Sequence, residues 1–176
     1  MFDMALATAG GAGFAKRKVE SADRGKLRGI GFGMYLEVCG GGADDGVDIE
    51  FQDDGRVVLH GSQQCNGEGH QTTGTQVLSH RLGYDADLIT VKPGDSSRSP
   101  RGTTGGARMT AVLGSATAVA AAKVINLAKP FAAKALECGE GDLNFTDGLF
   151  LRQDTNRSIA IEDLVLQLAI SGEKHP

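Results

Sequence analysis

The ten residues "CNGEGHQTTG", Cys65 to Gly74, set a thiol, a carboxylate and an imidazole among glycines, between a strand-like stretch and a helix-like one. A second run, "GTTGGAR" from Gly102 to Arg108, again leads from extended chain into a helical pattern. A helix N-terminus exposes unpaired N–H groups and a partial positive charge, so both starts suit an anion such as phosphate. Glycine lets a ligand approach the backbone without a Cβ in the way. In the second run Thr103 and Thr104 add hydroxyl donors, and Arg108 adds a forked cation suited to pyrophosphate. The structural alternative is a glycine cap on a tightly packed helix. From the residues alone, both readings stand.

Familiar phosphate motifs are not met. No Gly-Lys-Ser/Thr follows either run. "GIGFG", Gly29 to Gly33, lies inside a strand-like pattern instead of at a strand-to-helix turn, and its third glycine falls too early for a dinucleotide fingerprint. His60, His70 and His80 are ten apart, which puts no two of them together on one helix face, so no metal site is expected. Cys65 reads as a small packed thiol or a ligand contact. Glu37 reads as a surface or Arg-paired carboxylate or a site residue, and no nucleophile triad can be assembled.

The elements that must position these runs follow in order. "VDIEFQ" from Val47 alternates apolar and polar residues, Asp53-Asp54-Gly55 turns the chain, and "RVVLHGS" returns as a hairpin. "LRGIGFGMYLEVC", Leu27 to Cys39, predicts a glycine-rich strand ending at Gly40-Gly41-Gly42. Helical spacing from Thr75 stops at Gly83, a suitable residue to follow a helix end. "DLITVKPGD" predicts a strand. Met109 to Glu137 predicts a long, alanine-rich helix that Pro130 kinks or divides. "DLNFTDGLFLR" is a second hairpin around Asp147-Gly148, and Ser158 is expected to cap a last helix with Glu162 near its first turn. Alternating strands and helices predict an α/β (α+β mixed) fold, with residues 1–20 as an N-terminal connection and 21–176 as one domain.

Composition narrows the function classes. A formal charge of −4, with Lys16-Arg17-Lys18 diluted by Glu20 and Asp23, argues against nucleic-acid binding. No uninterrupted apolar run reaches the roughly 18 residues of a membrane span, so no membrane partner is expected. Three cysteines without paired spacing fit a reducing compartment, hence a cytoplasmic location, although periplasmic export through another segment or partner stays open. The 26 glycines, about twice the usual share, require many sharp turns or close approaches.

Taken together, four segments resemble one family in consecutive order. They are "GKLRGIGFGMYLEVCGGG", "GRVVLHGSQQCNGEGHQTTGTQVLSHRLG", "ITVKPGDSSRSPRGTTGGARM" and the alanine-rich helix, and the match runs from about Lys16 to Leu168. The family is the molybdenum-binding large subunit of the xanthine dehydrogenase, aldehyde oxidase and carbon monoxide dehydrogenase group. The resemblance implies a molybdopterin-binding domain of a hydroxylase that oxidises an aldehyde or N-heterocycle with oxygen from water. It further implies a cofactor in the cytosine dinucleotide form, with iron–sulfur and FAD carried by partner subunits or domains.

The family's Gly-Gln-Gly-His-Glu-Thr loop, near the pterin, aligns with Gly67, Glu68, Gly69, His70, Gln71 and Thr72. Its Gly-Gly-Ser-Arg loop, near pyrophosphate and pterin, aligns with Gly105, Gly106, Ala107 and Arg108. Two residues depart. Glu68 stands where glutamine is usual, and Ala107 where serine is usual. An ionised carboxylate beside an anionic cofactor is repulsive, so Glu68 turns away, binds protonated, or marks a chain that holds the cofactor poorly. The family's catalytic glutamate has no counterpart, because Glu140, Glu162 and Glu173 lack its glycine-rich context. The resemblance therefore implies a fragment or split subunit, inactive alone and without a catalytic or metal-ligating residue of its own. Its expected partners are the remaining large-subunit domains, an iron–sulfur subunit, a flavin subunit and further copies of itself. The alternative is a non-catalytic assembly module of the same fold.

Overall fold

The computed structural model describes residues 1–37, 40, 45–98 and 101–171. Two compact units are present, Met1–Glu37 and Val38–Pro176. In the first, α1 (Phe2–Thr8) and α2 (Phe14–Ala22) are joined through Gly10, whose φ of 63° is left-handed. Arg17 Nη2 donates to the Ala9 carbonyl at 3.0 Å, and Arg28 Nε donates to Ser21 Oγ at 2.9 Å. Phe2 meets Phe32 edge-on with ring centroids 5.4 Å apart. The strand expected over Leu27–Cys39 does not form across residues 27–37, and its last two residues lie outside those described. Gly29, Gly31 and Gly33 give that stretch nothing to pack and the largest entropy to lose, and it has no partner ladder. Glu37, at its end, is exposed.

The second unit is built on two three-stranded sheets. In the first sheet, β1 (Val47–Phe51) pairs antiparallel with β2 (Val57–Gly61), which pairs in parallel with β3 (Ile89–Pro93). The β1–β2 turn is the expected one, with Gly55 at φ 82° and Arg56 N–H donating to Asp54 Oδ1. A parallel step needs a crossover, and α3 (His70–Leu82) supplies it. Every residue of β2 is buried, which explains why "VVLHG" does not alternate. The second sheet, β4 (Leu143–Thr146), β5 (Leu149–Arg152) and β6 (Ser158–Ala160), is antiparallel throughout. Asp147 and Gly148, both at positive φ, form its first turn, as "TDGL" suggests. Ser158 belongs to β6, so it does not cap the last helix, α5 (Ile161–Ser171). The apolar residue Ile159 packs against the core, and the chain completes a strand before it turns helical.

The long helix α4 (Met109–Leu136) packs on α3 and meets strands of both sheets. Met109, Leu113, Thr117 and Ala121 recur every four residues on its buried face. Pro130 forgoes one backbone bond, yet the helix runs through it undivided, held by buried Ala128, Ala132 and Ala133 on either side. With an 18-residue window of mean hydropathy 1.6, α4 has the length and composition of a membrane span, contrary to the sequence expectation. Serine, threonine and glycine interrupt its apolar run without lowering the mean much. Its buried stripe against the sheets accounts for it as the central helix of the unit. At the end of α3, Gly83 (φ 62°) takes the left-handed cap predicted for it, while the helix begins at His70, earlier than the periodicity from Thr75 indicates.

Candidate functional site

Both glycine runs end at helix starts, those of α3 and α4, which pack against each other. Gly69 caps α3 in a left-handed conformation (φ 79°), and Arg108 caps α4. The runs are tied to each other: Gln64 N–H donates to Thr104 Oγ1 at 3.1 Å, and Thr104 Oγ1 donates to the Gln64 carbonyl at 3.2 Å. Gly40 N–H donates to the Gly106 carbonyl at 3.0 Å, so the first residue of the triple-glycine break also reaches this loop.

The hub beneath the second run is Asp45, a residue that sequence reasoning missed. Its side chain is 1% exposed and stands 3.0 Å from Arg108 Nη2, itself 6% exposed. Asp45 Oδ1 also accepts from Thr103 N–H at 3.1 Å and from Gln63 Nε2 at 3.3 Å. Arg108 Nη2 completes the arrangement by donating to the Thr103 carbonyl (2.9 Å) and Thr103 Oγ1 (2.7 Å). The fork expected to face a pyrophosphate is therefore turned inward, where it shapes the loop. Only the position of an aspartate at the end of a glycine-rich break could have hinted at this. Beside Asp45 lies a cleft of about 510 Å³, lined also by Val47, Val112, Ser115, Val119 and Lys123.

The glycines divide between the two readings left open above. Gly102 is a packing glycine, since a Cβ there would lie 2.1 Å from Ser62 Oγ and 2.2 Å from Asp45 Oδ1. Gly105 is different. It has no positive φ, and a Cβ built on it meets nothing within 4 Å. Neither backbone strain nor packing asks for glycine there, and the backbone is open to close approach by another group, as it also is at Gly141. Gly67 (φ 104°) and Gly69 also open onto free space, although their φ values already favour glycine. Gly106 (φ 60°) and Ala107 (φ 46°) are consecutive left-handed residues, and for alanine that conformation is strained. Ala107→Gly is expected to raise the unfolding free energy by about 1 kcal/mol, read as a higher urea midpoint at unchanged slope.

In the first run, Glu68 has turned onto its own loop. Its Oε2 accepts from Asn66 N–H at 2.5 Å. Its own backbone N–H above all, then that of Asn66, holds the carboxyl below its usual range, with His70 adding to the effect. Of the three alternatives for this residue, the geometry favours an ionised carboxylate folded back on the loop. Cys65 is half-exposed, not packed away. The N–H groups of Gly67, then His70 and Gly69, lower its thiol from the ordinary range, against burial and the Glu68 charge. His70 is 1% exposed, whereas Gln71 and Thr72 point to solvent from the first turn of α3. His60 is engaged elsewhere, with Nε2 2.8 Å from Glu50 Oε2, and His80 is exposed on α3. The histidines stay apart, as their spacing requires. The group that converges is Cys65, Glu68 and His70, whose ligand atoms lie within 4.8 Å of one another.

Two helix starts follow glycine loops that are hydrogen-bonded to each other and open to solvent at Gly67, Gly69 and Gly105. The chain belongs to the molybdopterin cofactor-binding domain family, which it matches over residues 5–175. It is 35% identical over 145 residues to the carbon monoxide dehydrogenase large chain of Afipia carboxidovorans, covering 74% of this chain and 18% of that one. Against the nicotine 6-hydroxylase large subunit of Paenarthrobacter nicotinovorans, identity is 29% over 177 residues, covering 93% and 22%. The crystal structure of a Cu,Mo-CO dehydrogenase in its carbon monoxide-reduced state superposes with a TM-score of 0.69 at 30% identity, over 93% of this chain and 23% of that one. Quinoline 2-oxidoreductase from Pseudomonas putida 86 shares the fold, with a TM-score of 0.66 at 22% identity. The chain thus spans about a fifth of the length of the curated relatives it matches. The partial molybdenum hydroxylase subunit implied by the motifs is what these relatives support.

Proposed function

We propose that this domain holds one side of a molybdopterin cofactor, in the cytosine dinucleotide form, within a larger molybdenum hydroxylase that oxidises a small aldehyde or N-heterocycle. The observation that carries the proposal is the open backbone at Gly105, in a loop tied to the first glycine run, where no atom of the chain stands in the way of a closely approaching group. The residues present fit such a group. Gly67, Gly69 and Gly105 leave the loop surfaces clear, and the helix starts after them offer N–H groups to its anionic portions. When bound, the cofactor supplies the two-electron redox chemistry that transfers oxygen derived from water.

The chain's own residues position and exclude. Asp45 fixes Arg108, and Arg108 fixes Thr103, so the second loop is shaped before a ligand arrives. Glu68 keeps its charge on its own loop, where its carboxylate accepts from Asn66 N–H. The base that activates oxygen would come from another part of the assembly, and so would the iron–sulfur and flavin centres, the substrate pocket and the remaining large-subunit domains. Cysteines without paired spacing support a cytoplasmic assembly.

A second reading, an assembly module without cofactor, draws on the inward-turned Arg108 and the carboxylate of Glu68. Coexpression with the segments that complete the subunit separates the two. The cofactor reading expects pterin and molybdenum to copurify at close to one per complex, and a folded complex lacking both would support the module.

A further inference from the structure

We infer that Cys65, Glu68 and His70 form a binding site for a borderline divalent cation of the zinc class, on the same loop whose glycines are proposed above to face the cofactor. Three donor types suited to that class meet here: a thiolate sulfur, a carboxylate oxygen and an imidazole nitrogen. Cys65 Sγ lies 3.9 Å from Glu68 Oε2, and Glu68 Oε1 lies 3.6 Å from His70 Nε2. A tetrahedral zinc with bonds of about 2.0–2.3 Å would set neighbouring donors roughly 3.3–3.6 Å apart. Shifts of some tenths of an ångström in the two exposed loop side chains, and somewhat more for the pair furthest apart, would close the site.

The independent observation is His70. Its side chain is 1% exposed, neither ring nitrogen has a hydrogen-bond partner, and Nε2 faces the Glu68 carboxylate. A buried imidazole with both nitrogens unsatisfied is costly, and a cation on Nε2 would satisfy one of them. The loop is built to bring the three donors together. Gly67 (φ 104°) and Gly69 (φ 79°) fold the short chain between Cys65 and α3 so that side chains two and three residues apart converge. Three protein ligands leave a fourth position for water or a small ligand. The inference concerns the chain free of pterin, and a pterin seated on this loop would compete with the cation.

The test uses the full chain, stripped with a chelator and titrated with Co²⁺ as a spectroscopic probe. A thiolate-to-cobalt charge-transfer absorption is expected that saturates at one equivalent and is displaced by Zn²⁺. Cys65→Ser should abolish it, Cys138→Ser should leave it intact, and Glu68→Gln should weaken cobalt binding at least tenfold. Glu68 is exposed, so its variant carries the test even where Cys65→Ser fails to fold. No charge-transfer band at stoichiometric cobalt, a band that survives Cys65→Ser, or unchanged affinity in Glu68→Gln would overturn the assignment.

Discussion

Gly83→Ala is expected to destabilise the domain by about 3–4 kcal/mol, as left-handed strain and overpacking add together. A Cβ on Gly83 would stand 2.3 Å from the Gly148 nitrogen and 2.4 Å from its Cα, and these are backbone atoms that cannot rotate away. Gly83 is itself at φ 62°, where alanine is disfavoured. The contact joins the end of α3 to the β4–β5 turn, and the Gly148 carbonyl also accepts from Ile161 N–H at the start of α5. Three elements would therefore have to separate together. Urea denaturation should show the loss as a lower midpoint with unchanged slope, and a change below about 1 kcal/mol would refute the close packing of the two glycines.

The second large effect is expected at the buried pair. Asp45→Ala should cost about 3–5 kcal/mol, because it removes the buried carboxylate that stands 3.0 Å from Arg108 Nη2. Arg108→Ala should cost a similar amount, since Asp45 would lose its countercharge at 1% exposure. The double variant Asp45→Ala/Arg108→Ala should be less damaged than the sum of the two single changes, by about 1–3 kcal/mol of coupling. Additive losses would show that the pair does not act as a unit. Cofactor content gives a sharper contrast. If Arg108 acts by shaping the loop, Asp45→Asn should lower molybdenum content in the complete assembly about as much as Arg108→Ala. If Arg108 instead reached a pyrophosphate directly, Asp45→Asn would retain most of it.

Much of the frame was legible because it rests on local rules. Asp53-Asp54-Gly55 and Asp147-Gly148 have the residues their turns demand, and Gly83 is the usual end of a helix. The α4 pattern was clear from its composition. What failed depends on contacts distant in sequence. The glycine-rich run after Leu27 has the alternation of a strand, but a strand needs a neighbour, and no neighbour pairs with residues 27–37. Ser158 looked like a cap, yet the pairing of Ile159 with Phe150 made it part of a sheet.

The site divides along the same line. Its loops could be found from glycine spacing, but spacing cannot separate Gly102, excluded by Ser62 and Asp45, from Gly105, which faces open space. Asp45 lies 63 residues before Arg108, so no local pattern links them. Convergence of Cys65, Glu68 and His70 was equally hidden, because it depends on two left-handed glycines between them.

The most direct test of the cofactor assignment is the pterin and molybdenum content of the assembled subunit carrying Gly105→Val, compared with wild type, alongside the melting temperature of the chain alone. Because a Cβ at 105 meets nothing within 4 Å, melting should stay within about 2 °C, while cofactor content falls severalfold. Wild-type pterin and molybdenum in a folded Gly105→Val assembly would contradict the account, for the open face of that loop would then not be where the cofactor lies.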